Sequence, residues 1–240
     1  MNNLILVRHG QSLWNKERRF TGWADIDLTE QGKDEAKYAA KLIKNLNINF
    51  DEYFTSFQKR ASNTLDIITK ILYKSNVKIN KAWELNERHY GGLTGLNKDE
   101  IIKKHGAKQV QIWRRSFSTS PPPMDPSSPH HPTKNKNYAN IPIDKIPSSE
   151  SLKDTFKRVV PYYENKIEPL ILSKKNVLIS AHGNSLRALC KKIFNISEKK
   201  IIDLEIPTGN PLLITFDANL KVKERKYLDS ERAKKILFNV

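Results

Sequence analysis

The chain has 240 residues, of which 42 are Lys or Arg and 26 are Asp or Glu, giving a formal net charge of +16. A single cysteine, Cys190, excludes a disulfide framework, and no apolar run is long enough to span a membrane. The polar start, Met1 to Asn3, is not a signal peptide, so we expect a cytoplasmic protein. The charge suits anionic partners, but no basic run is interleaved with aromatic residues, so it does not by itself indicate nucleic acid or a membrane.

The first predicted element is a strand, Leu4 to Val7, which runs directly into Arg8, His9 and Gly10. A short branched aliphatic run closed by glycine is typical of a central strand in a parallel sheet. A polar loop follows over residues 11–28, and Thr29 then caps a predicted helix. The buried stripe of that helix consists of Ala36, Ala39, Ala40, Ile43 and Leu46.

Strands and helices continue to alternate along the chain. We predict a strand over Phe50–Ser56, a helix through Leu65 and Leu72, and a third strand over Val77–Trp83. The Pro-rich segment Ser116–Pro147 lacks apolar periodicity, which is typical of a lid, a binding loop or a disordered segment.

The last third of the chain begins with a helix predicted to resume near residues 148–150, which Pro161 kinks or interrupts. A second clean apolar run, Asn176–Ala181, ends on His182 and Gly183, and a final strand is predicted over Leu212–Phe216. The helix between these strands turns Leu186, Leu189, Cys190 and Ile193 inward. A charged tail with little periodicity occupies residues 218–240.

The alternation predicts one α/β domain over residues 1–240, with a mostly parallel central sheet and helices on both faces as three layers. The two clean apolar runs each end on a His-Gly pair, His9-Gly10 and His182-Gly183. For either histidine alone, a hydrogen-bonded side chain at a strand end is an equally good interpretation. Together, at the carboxyl ends of adjacent parallel strands, they indicate a site.

The residue types around these strand ends suit phosphoryl transfer. A neutral His9 imidazole is a candidate nucleophile, and the charge on the transferring group requires fixed donors, for which Arg8, Arg60 and His182 are candidates. Glu87 could transfer a proton to or from a substrate hydroxyl. The basic residues Lys98, Arg114 and Arg115 suit an anionic substrate, although each alone is more often surface charge.

Other histidines and the cysteine have simpler interpretations. The pair His130-His131 lacks cysteines or carboxylates at ligand spacing, so no metal site is predicted there. His105 precedes Gly106 and is interpreted as the end of a helix. Cys190, on an apolar helix face, is interpreted as core.

The chain strongly resembles the cofactor-dependent phosphoglycerate mutases of the histidine phosphatase superfamily between about Leu4 and Phe216. The RHG triplet alone indicates only the superfamily, whereas ERHYG, WRRSF and HGNSLRAL are specific to the mutase branch. The motifs that carry the resemblance are, in chain order, LVRHGQS, FTGW, QKRA, ERHYGGLTGLNK, WRRSF, PPP, SLKDT, AHGNSLRAL and IPTG.

The resemblance implies that His9 becomes phosphorylated, that Glu87 donates and accepts protons, and that Arg8, Arg60 and His182 surround the phosphoryl group. It implies interconversion of 2-phosphoglycerate and 3-phosphoglycerate in glycolysis and gluconeogenesis, with 2,3-bisphosphoglycerate as the primer of His9 and no metal. It also implies a homodimer or homotetramer. The implied substrate contacts, besides Arg8, Arg60 and Glu87, are Gly10, Gln11, Ser12, Asn15, Thr21, Gly22, Arg88, His89, Tyr90, Lys98, Arg114, Arg115, Gly183 and Asn184.

Two positions bear on how closely the chain follows this family. Gln11 stands where the family commonly has glutamate, and Gly22 stands where related bisphosphoglycerate synthases often have serine, which favours a mutase. A phosphatase or a synthase with the same phosphohistidine is the nearest alternative, and a non-catalytic polyanion-binding protein is a more distant one. By analogy with the family the basic tail, 221–240, closes over the entrance; disorder is an equally good interpretation.

Overall fold

The structure, a computed structural model, describes residues 2–73 and 77–233. These residues form one six-stranded sheet in the order β3-β2-β4-β1-β5-β6. The first four strands in this order are parallel, and β5 and β6 are antiparallel to their neighbours, so the predicted mostly parallel sheet is confirmed. The strands are β1 (Asn2–Arg8), β2 (Glu52–Thr55), β3 (Ile79–Lys81), β4 (Val177–Ala181), β5 (Leu212–Phe216) and β6 (Val222–Tyr227).

The four helices predicted from the sequence are present at Glu30–Lys44, Lys59–Tyr73, Leu152–Tyr162 and Gly183–Ile193. The loop predicted over residues 11–28 contains one additional short helix, α1. None of the helices in the described ranges combines the length and apolar character needed to traverse a bilayer. The helices are α1 (Leu13–Lys16), α2 (Glu30–Lys44), α3 (Lys59–Tyr73), α4 (Lys98–His105), α5 (Ala107–Arg115), α6 (Leu152–Tyr162), α7 (Glu168–Leu172), α8 (Gly183–Ile193) and α9 (Ser230–Ala233).

The central strand β1 divides the core into two layers because its side chains alternate between the faces of the sheet. Leu4 and Leu6 pack into the cluster formed with α6 and α8. Ile5 and Val7 pack into the cluster formed with α2 and α3. Both faces are therefore covered, which explains the unbroken apolar run and confirms the three-layer prediction.

Helix ends follow the capping residues. The Thr29 side chain accepts a hydrogen bond from the backbone N–H of Gly32, as predicted. Helix α6 begins at Leu152 behind Ser151, slightly later than predicted. Pro161 lies inside α6, and a π-helical turn follows at Tyr163–Ile167, so the predicted interruption comes just after the proline that removes a backbone donor.

The Pro-rich segment 116–147 contains three short 3₁₀ turns, at 132–134, 136–138 and 143–145, and packs against the loop that follows β1. The Tyr138 hydroxyl donates to the backbone carbonyl of Trp23 over 2.8 Å, and the two rings pack 5.1 Å apart, centroid to centroid. Of the three possibilities left open by the sequence, disorder does not describe this segment.

The charged tail is more regular than its sequence indicates. Residues 222–227 form β6, the outermost strand beside β5, and α9 follows. The sequence predicted no strand here, and disorder, one of the two interpretations left open for the tail, does not describe residues 222–227. An edge strand has one side open to water, so lysines and glutamates replace the apolar run on which the prediction depended. Residues 234–240 lie outside the described residues.

Candidate active site

The two His-Gly pairs meet at one edge of the sheet. Strands β1 and β4 are parallel neighbours in a register that pairs Arg8 with Ala181, and the His9 N–H donates to the Ala181 carbonyl over 3.0 Å. The next residues in this register are His9 and His182, whose ring centroids lie 5.0 Å apart. The predicted convergence of the two strand ends is present.

The His9 side chain presents one free ring nitrogen. Its Nδ1 lies 2.7 Å from the Gly10 carbonyl oxygen, which can only accept, so Nδ1 carries the proton and donates. Burial, followed by the charges of Arg60 and Arg8, holds the pKa of His9 well below its ordinary value. The ring is therefore neutral at physiological pH, and the Nε2 lone pair is available to a substrate.

Two arginines supply positive charge beside His9. Arg60, near the start of α3, is buried and donates to the backbone carbonyls of Ala24 and Gly22, each over 2.9 Å. Arg8 donates from Nη1 to the Ile206 carbonyl over 2.8 Å, and its buried Nε has no partner among the described residues. A buried donor of this kind requires an acceptor, and an anionic ligand would supply one.

His182 is fully buried at the end of β4. Its Nε2 lies 2.7 Å from Ser56 Oγ, and its Nδ1 has no partner among the described residues. Burial, followed by the charge of Arg60, holds the pKa of His182 well below its ordinary value. This ring is therefore also neutral at physiological pH.

Glu87 presents a single carboxylate oxygen. Its Oε1 accepts from the backbone N–H groups of Arg88 over 2.8 Å and of Asn184 over 3.1 Å, the second at the start of α8. These two bonds fix the carboxylate and leave Oε2 without a partner among the described hydrogen bonds. An oriented carboxylate with one free oxygen is suited to proton transfer.

A buried ion pair holds the Glu87 segment from α6. Arg158 and Glu150 form a bidentate pair, with Nε–Oε1 at 2.6 Å and Nη2–Oε2 at 2.9 Å. The same guanidinium donates to the backbone carbonyls of residues 84, 86 and 87. Glu150 also accepts from the His89 N–H over 2.7 Å. The sequence offered no signal for this pair, because its partners are backbone carbonyls distant in the chain.

Gln58 joins several parts of the site and was predicted only as one letter of the QKRA motif. Its side chain donates to the Gly22 carbonyl over 2.8 Å and accepts from the Glu87 N–H over 2.9 Å. Arg60 donates to the same side-chain oxygen over 3.3 Å. One amide thus connects the Gly22 loop, Arg60 and the Glu87 segment.

These groups surround a cavity of about 490 Å³. Its lining includes eight cationic side chains and two carboxylates, which suits a small ligand with several negative charges. The residues of the lining that the sequence predicted are Arg8, His9, Asn15, Thr21, Gly22, Arg60, Glu87, Tyr90, Lys98, Arg114, Arg115, Gly183 and Asn184. Those that it missed are Arg19, Phe20, Arg187, Glu205, Ile206, Pro207 and Arg232.

Some predicted site residues lie behind the lining. Gly10 and Ser12 belong to the backbone of the loop, where Ser12 caps α1. Gln11 accepts from the Thr29 hydroxyl over 3.0 Å, so it fastens that loop to the start of α2. His182 lies beside the His9 ring without lining the cavity. The structure therefore places Gly10, Gln11 and Ser12 in support of the cavity wall rather than on its surface.

Arg88 and His89 are also buried behind the lining. Arg88 donates to the Arg114 carbonyl over 3.2 Å, and its guanidinium lies 4.6 Å from the centroid of the Tyr90 ring. Burial acts to raise the pKa of Tyr90, but the charge of Arg88, a hydrogen bond with Arg88 and the charge of Lys98 together outweigh it and lower the pKa to about 8. His89 accepts through Nδ1 from the Gly91 N–H over 3.0 Å. Both residues organise the segment that carries Glu87 and Tyr90.

Two missed arginines differ in how far the sequence could have indicated them. Arg187 lies one helical turn after Gly183 within the HGNSLRAL motif, so it shares a face with the start of α8. It donates to the Asn184 side-chain oxygen over 2.8 Å and thereby orients that amide. Arg232 comes from α9 and donates to the Thr208 carbonyl over 2.6 Å, a location that no local pattern in the tail indicates.

Glycines allow close approach at two places in the site. Gly22 has φ +53°, and a Cβ there would lie 3.0 Å from the Tyr90 backbone nitrogen. Gly10 meets Gly32 of α2, where a Cβ on Gly10 would lie 2.1 Å from the Gly32 carbonyl oxygen. A Cβ on Gly32 would in turn lie 2.1 Å from the Gln11 carbonyl oxygen. The loop after β1 therefore packs on α2 backbone against backbone.

The remaining described histidines make packing and hydrogen-bond contacts away from the cavity. His105 ends α4, and its ring packs edge-on against Trp113. His130 packs edge-on against Trp14, and His131 hydrogen-bonds Thr133. Across residues 2–73 and 77–233, no three potential metal ligands converge. Cys190 is buried in the core, as predicted.

Comparison with known proteins places the site in a family. Residues 4–130 match the profile of the histidine phosphatase superfamily (branch 1). The chain is 52% identical to a 2,3-bisphosphoglycerate-dependent phosphoglycerate mutase of Pelagibacter ubique (strain HTCC1062), over 99% of each chain. It is 48% identical to an enzyme of the same name from Hydrogenobaculum sp. (strain Y04AAS1), over 100% of this chain and 98% of the relative.

Solved structures share the fold at much lower identity. A protein described as mycobacterial hydrolase 1 superposes with a TM-score of 0.70 at 18% identity, over 95% of this chain and 97% of that one. A mycobacterial glucosyl-3-phosphoglycerate phosphatase in complex with VO3 gives 0.67 at 19% identity, over the same shares of the two chains. At this identity the likeness concerns the fold alone.

Proposed function

This chain belongs to the 2,3-bisphosphoglycerate-dependent phosphoglycerate mutases of the histidine phosphatase superfamily, and from that membership we propose the roles of its individual residues. The protein interconverts 2-phosphoglycerate and 3-phosphoglycerate, a step of glycolysis and gluconeogenesis. The observation that carries the assignment of roles is the neutral His9 ring with a free Nε2, set in a cavity with eight cationic side chains.

His9 is the nucleophile. Its Nε2 attacks the phosphorus of the substrate ester, a nitrogen–phosphorus bond forms, and the phosphorus–oxygen bond to the glycerate breaks. Arg8 and Arg60 face the oxygens of the transferring group, where fixed cations stabilise developing charge more effectively than water does. Their guanidiniums also keep His9 neutral before the attack.

Glu87 moves the proton. When the phosphoryl group passes to His9, the Glu87 carboxyl gives a proton to the leaving glycerate oxygen. When the phosphoryl group passes from His9 to a substrate hydroxyl, Glu87 takes the proton from that hydroxyl. Two backbone N–H groups hold its Oε1, so Oε2 is the oxygen we assign to this exchange.

The cavity fits a bisphosphorylated primer. When bound, 2,3-bisphosphoglycerate supplies the phosphoryl group that charges His9. The unpartnered Arg8 Nε offers a donor to one phosphate, and Lys98, Arg114 and Arg115 line the same cavity for the rest of the ligand. Asn184 donates from its amide to the Tyr90 hydroxyl over 3.3 Å and shares this wall.

The test is a coupled assay that starts from 3-phosphoglycerate, with and without 2,3-bisphosphoglycerate, in the presence of a chelator. We expect dependence on the primer and no effect of the chelator, since no step above uses a metal. His9→Ala should lose both turnover and acid-labile phosphorylation by the primer. A His9→Ala protein with wild-type turnover would contradict the assignment of the nucleophile.

A second variant separates the two catalytic roles. Glu87→Gln keeps the hydrogen-bonding shape of the side chain but cannot exchange the proton, so turnover should fall far more than occupancy of the phosphohistidine at equilibrium. Equal loss of both would contradict the role of Glu87. A homodimer or homotetramer, a cytoplasmic location and the absence of nucleic-acid or membrane partners stay predictions. Light scattering of the purified protein tests the first of these.

A further inference from the structure

The Nε2 atom of His182 forms a hydrogen bond with Ser56, which directly follows β2. Strand β2 is the parallel neighbour of β4, in a register that pairs Thr55 with Ser180. Ser56 therefore lies beside the residues that follow β4, and its Oγ is 2.7 Å from His182 Nε2. Three neighbouring parallel strands, β1, β4 and β2, thus each supply one residue to this edge.

A second hydrogen bond fixes the direction of the Ser56 contact. The backbone N–H of Gln58 donates to Ser56 Oγ over 3.1 Å, so the hydroxyl oxygen already accepts one hydrogen bond. Ser56 is fully buried, and the only described acceptor for its proton is His182 Nε2. The hydroxyl therefore donates, and Nε2 accepts with its lone pair.

The opposite arrangement leaves the buried Ser56 proton unpaired. If Nε2 carried the proton, Ser56 Oγ would accept twice, and its own proton would have no acceptor among the described residues. With the proton on Nδ1, Ser56 is fully paired, and the Nδ1–H is left for a ligand. Unpaired buried polar groups are unfavourable, so the network favours the Nδ1–H tautomer.

The His182 ring lies where its Nδ1 proton could be donated to a group bound on His9. The His182 ring lies 5.0 Å from the His9 ring, centroid to centroid, which is close enough for a phosphoryl oxygen on His9 to contact it. We infer that Ser56 is a positioning residue, whose hydroxyl keeps His182 in the Nδ1–H tautomer so that Nδ1–H donates to an oxygen of the phosphoryl group. This inference rests on the proposed function of His9.

The chemistry requires no further proton transfer. As His9 Nε2 bonds to phosphorus and the ester bond breaks, Glu87 protonates the leaving oxygen. His182 keeps its proton and contributes a hydrogen bond to a non-bridging oxygen. In the other tautomer the ring would present a lone pair to the same oxygen, and the interaction would change from attraction to repulsion.

The test compares Ser56→Ala with Thr55→Val, which removes the neighbouring buried hydroxyl, a donor to the Ser180 carbonyl. Proton–nitrogen correlation spectra of ligand-free protein with isotope-labelled histidine report the His182 tautomer, with a His182→Asn sample for assignment. We expect an Nδ1–H ring in the wild type and in Thr55→Val, and loss of that preference in Ser56→Ala.

Rates of His9 phosphorylation by the primer form the second readout. Ser56→Ala should phosphorylate His9 about 100-fold more slowly, as for loss of one oxyanion donor, whereas Thr55→Val should stay within about threefold of the wild type. Ser56→Cys, a weaker donor, should lie between them.

Either of two results would overturn the inference. One is an Nε2–H ring in the wild type, and the other is a Ser56→Ala rate equal to that of Thr55→Val. Because the spectra need no substrate, they are independent of whether His9 carries the phosphoryl group, which the His9→Ala assay decides separately.

Discussion

Arg158 Nη2 on α6 donates to the backbone carbonyl oxygen of Glu87 over 3.0 Å, across 71 residues of sequence. The same guanidinium pairs with Glu150 and holds two further carbonyls of the segment that leads to Glu87. The backbone that carries Glu87, the carboxylate to which we assign proton transfer, is thus held by a buried ion pair outside the cavity lining.

Arg158→Lys should therefore impair catalysis without touching substrate. Lysine keeps the charge but loses the planar fork that reaches Glu150 and the carbonyls together. We expect turnover to fall about 10- to 100-fold, with a smaller change in the Michaelis constant, because a small displacement of Glu87 misaligns the proton transfer. Steady-state kinetics below the melting temperature of the variant measure this. Unchanged turnover would show that the carboxylate is positioned without Arg158.

The free energy of unfolding should respond differently when both partners are removed. Glu150→Gln alone leaves a buried guanidinium unpaired and should cost about 3–5 kcal/mol. Glu150→Leu with Arg158→Met should recover part of that stability but none of the turnover. Lys157→Met, which removes an exposed cation 3.8 Å from Asp154, is the matched control and should change stability by less than about 1 kcal/mol.

Arg60→Lys tests whether the planar guanidinium group beside His9 is needed, or only its positive charge. Lysine cannot donate to the carbonyls of Gly22 and Ala24 while also facing a phosphate, so we expect turnover to fall about 100- to 1,000-fold. The neighbouring Lys59→Arg makes the reverse exchange on an exposed side chain and should leave turnover unchanged. Wild-type kinetics for Arg60→Lys would mean that charge alone suffices at this position.

From the lowered pKa of Tyr90 we predict that substrate affinity decreases in mild alkali. Its pKa is lowered to about 8, so the phenol is neutral below that pH and becomes a phenolate above it. A phenolate would add negative charge to the cavity in which we propose that the anionic substrate binds. We expect the Michaelis constant for 3-phosphoglycerate to rise between pH 8 and 9 in the wild type and to rise less in Tyr90→Phe. Parallel profiles for the two proteins would assign the effect to another group.

From the location of Arg232 we predict that it contributes to substrate binding, and that this contribution decreases as the salt concentration rises. It is a cation of α9 that lines the cavity, far from His9 in the sequence. Arg232→Ala should raise the Michaelis constant about two- to fivefold at low ionic strength, with turnover unchanged and the difference shrinking as salt increases. Lys223→Ala, an exposed cation of β6 outside the cavity lining, is the control. A salt-independent change would indicate a structural effect instead.

The sequence predicted the parts of the fold that depend on local pattern. Strands β1 and β4 could be predicted from their apolar runs, which are continuous because both faces of the sheet are covered. The start of α2 could be predicted from its capping residue, Thr29. Strand β6 could not be found in this way, because its charged residues, such as Lys223 and Lys226, reflect an open edge. Apolar periodicity records burial, and an edge strand has little of it.

The residues of the site likewise differ in whether a local sequence pattern predicts them. Residues next to glycine at strand ends, such as His9 and His182, carry a local signature. Arg158 and Gln58 carry no such signature, because they hydrogen-bond backbone groups of other segments. Every residue has these backbone groups, so the sequence does not indicate which of them will be the partners. Residues to which we assign roles in catalysis could thus be predicted from local sequence more readily than the residues that hold them in place.

The meeting of Gly10 and Gly32 has a consequence for mutational scans of this enzyme. A methyl group on Gly10 would meet the backbone of Gly32, and one on Gly32 would meet the backbone of Gln11, so we expect neither position to tolerate alanine. Gly32 sits on a helix and outside the cavity lining, yet its substitution should inactivate the enzyme as severely as a change beside His9. Loss of activity on substitution of Gly32 would result from the close packing of two backbone segments and not from contact with a ligand. A mutational scan that took every sensitive position as ligand-binding would therefore overestimate the size of the binding site.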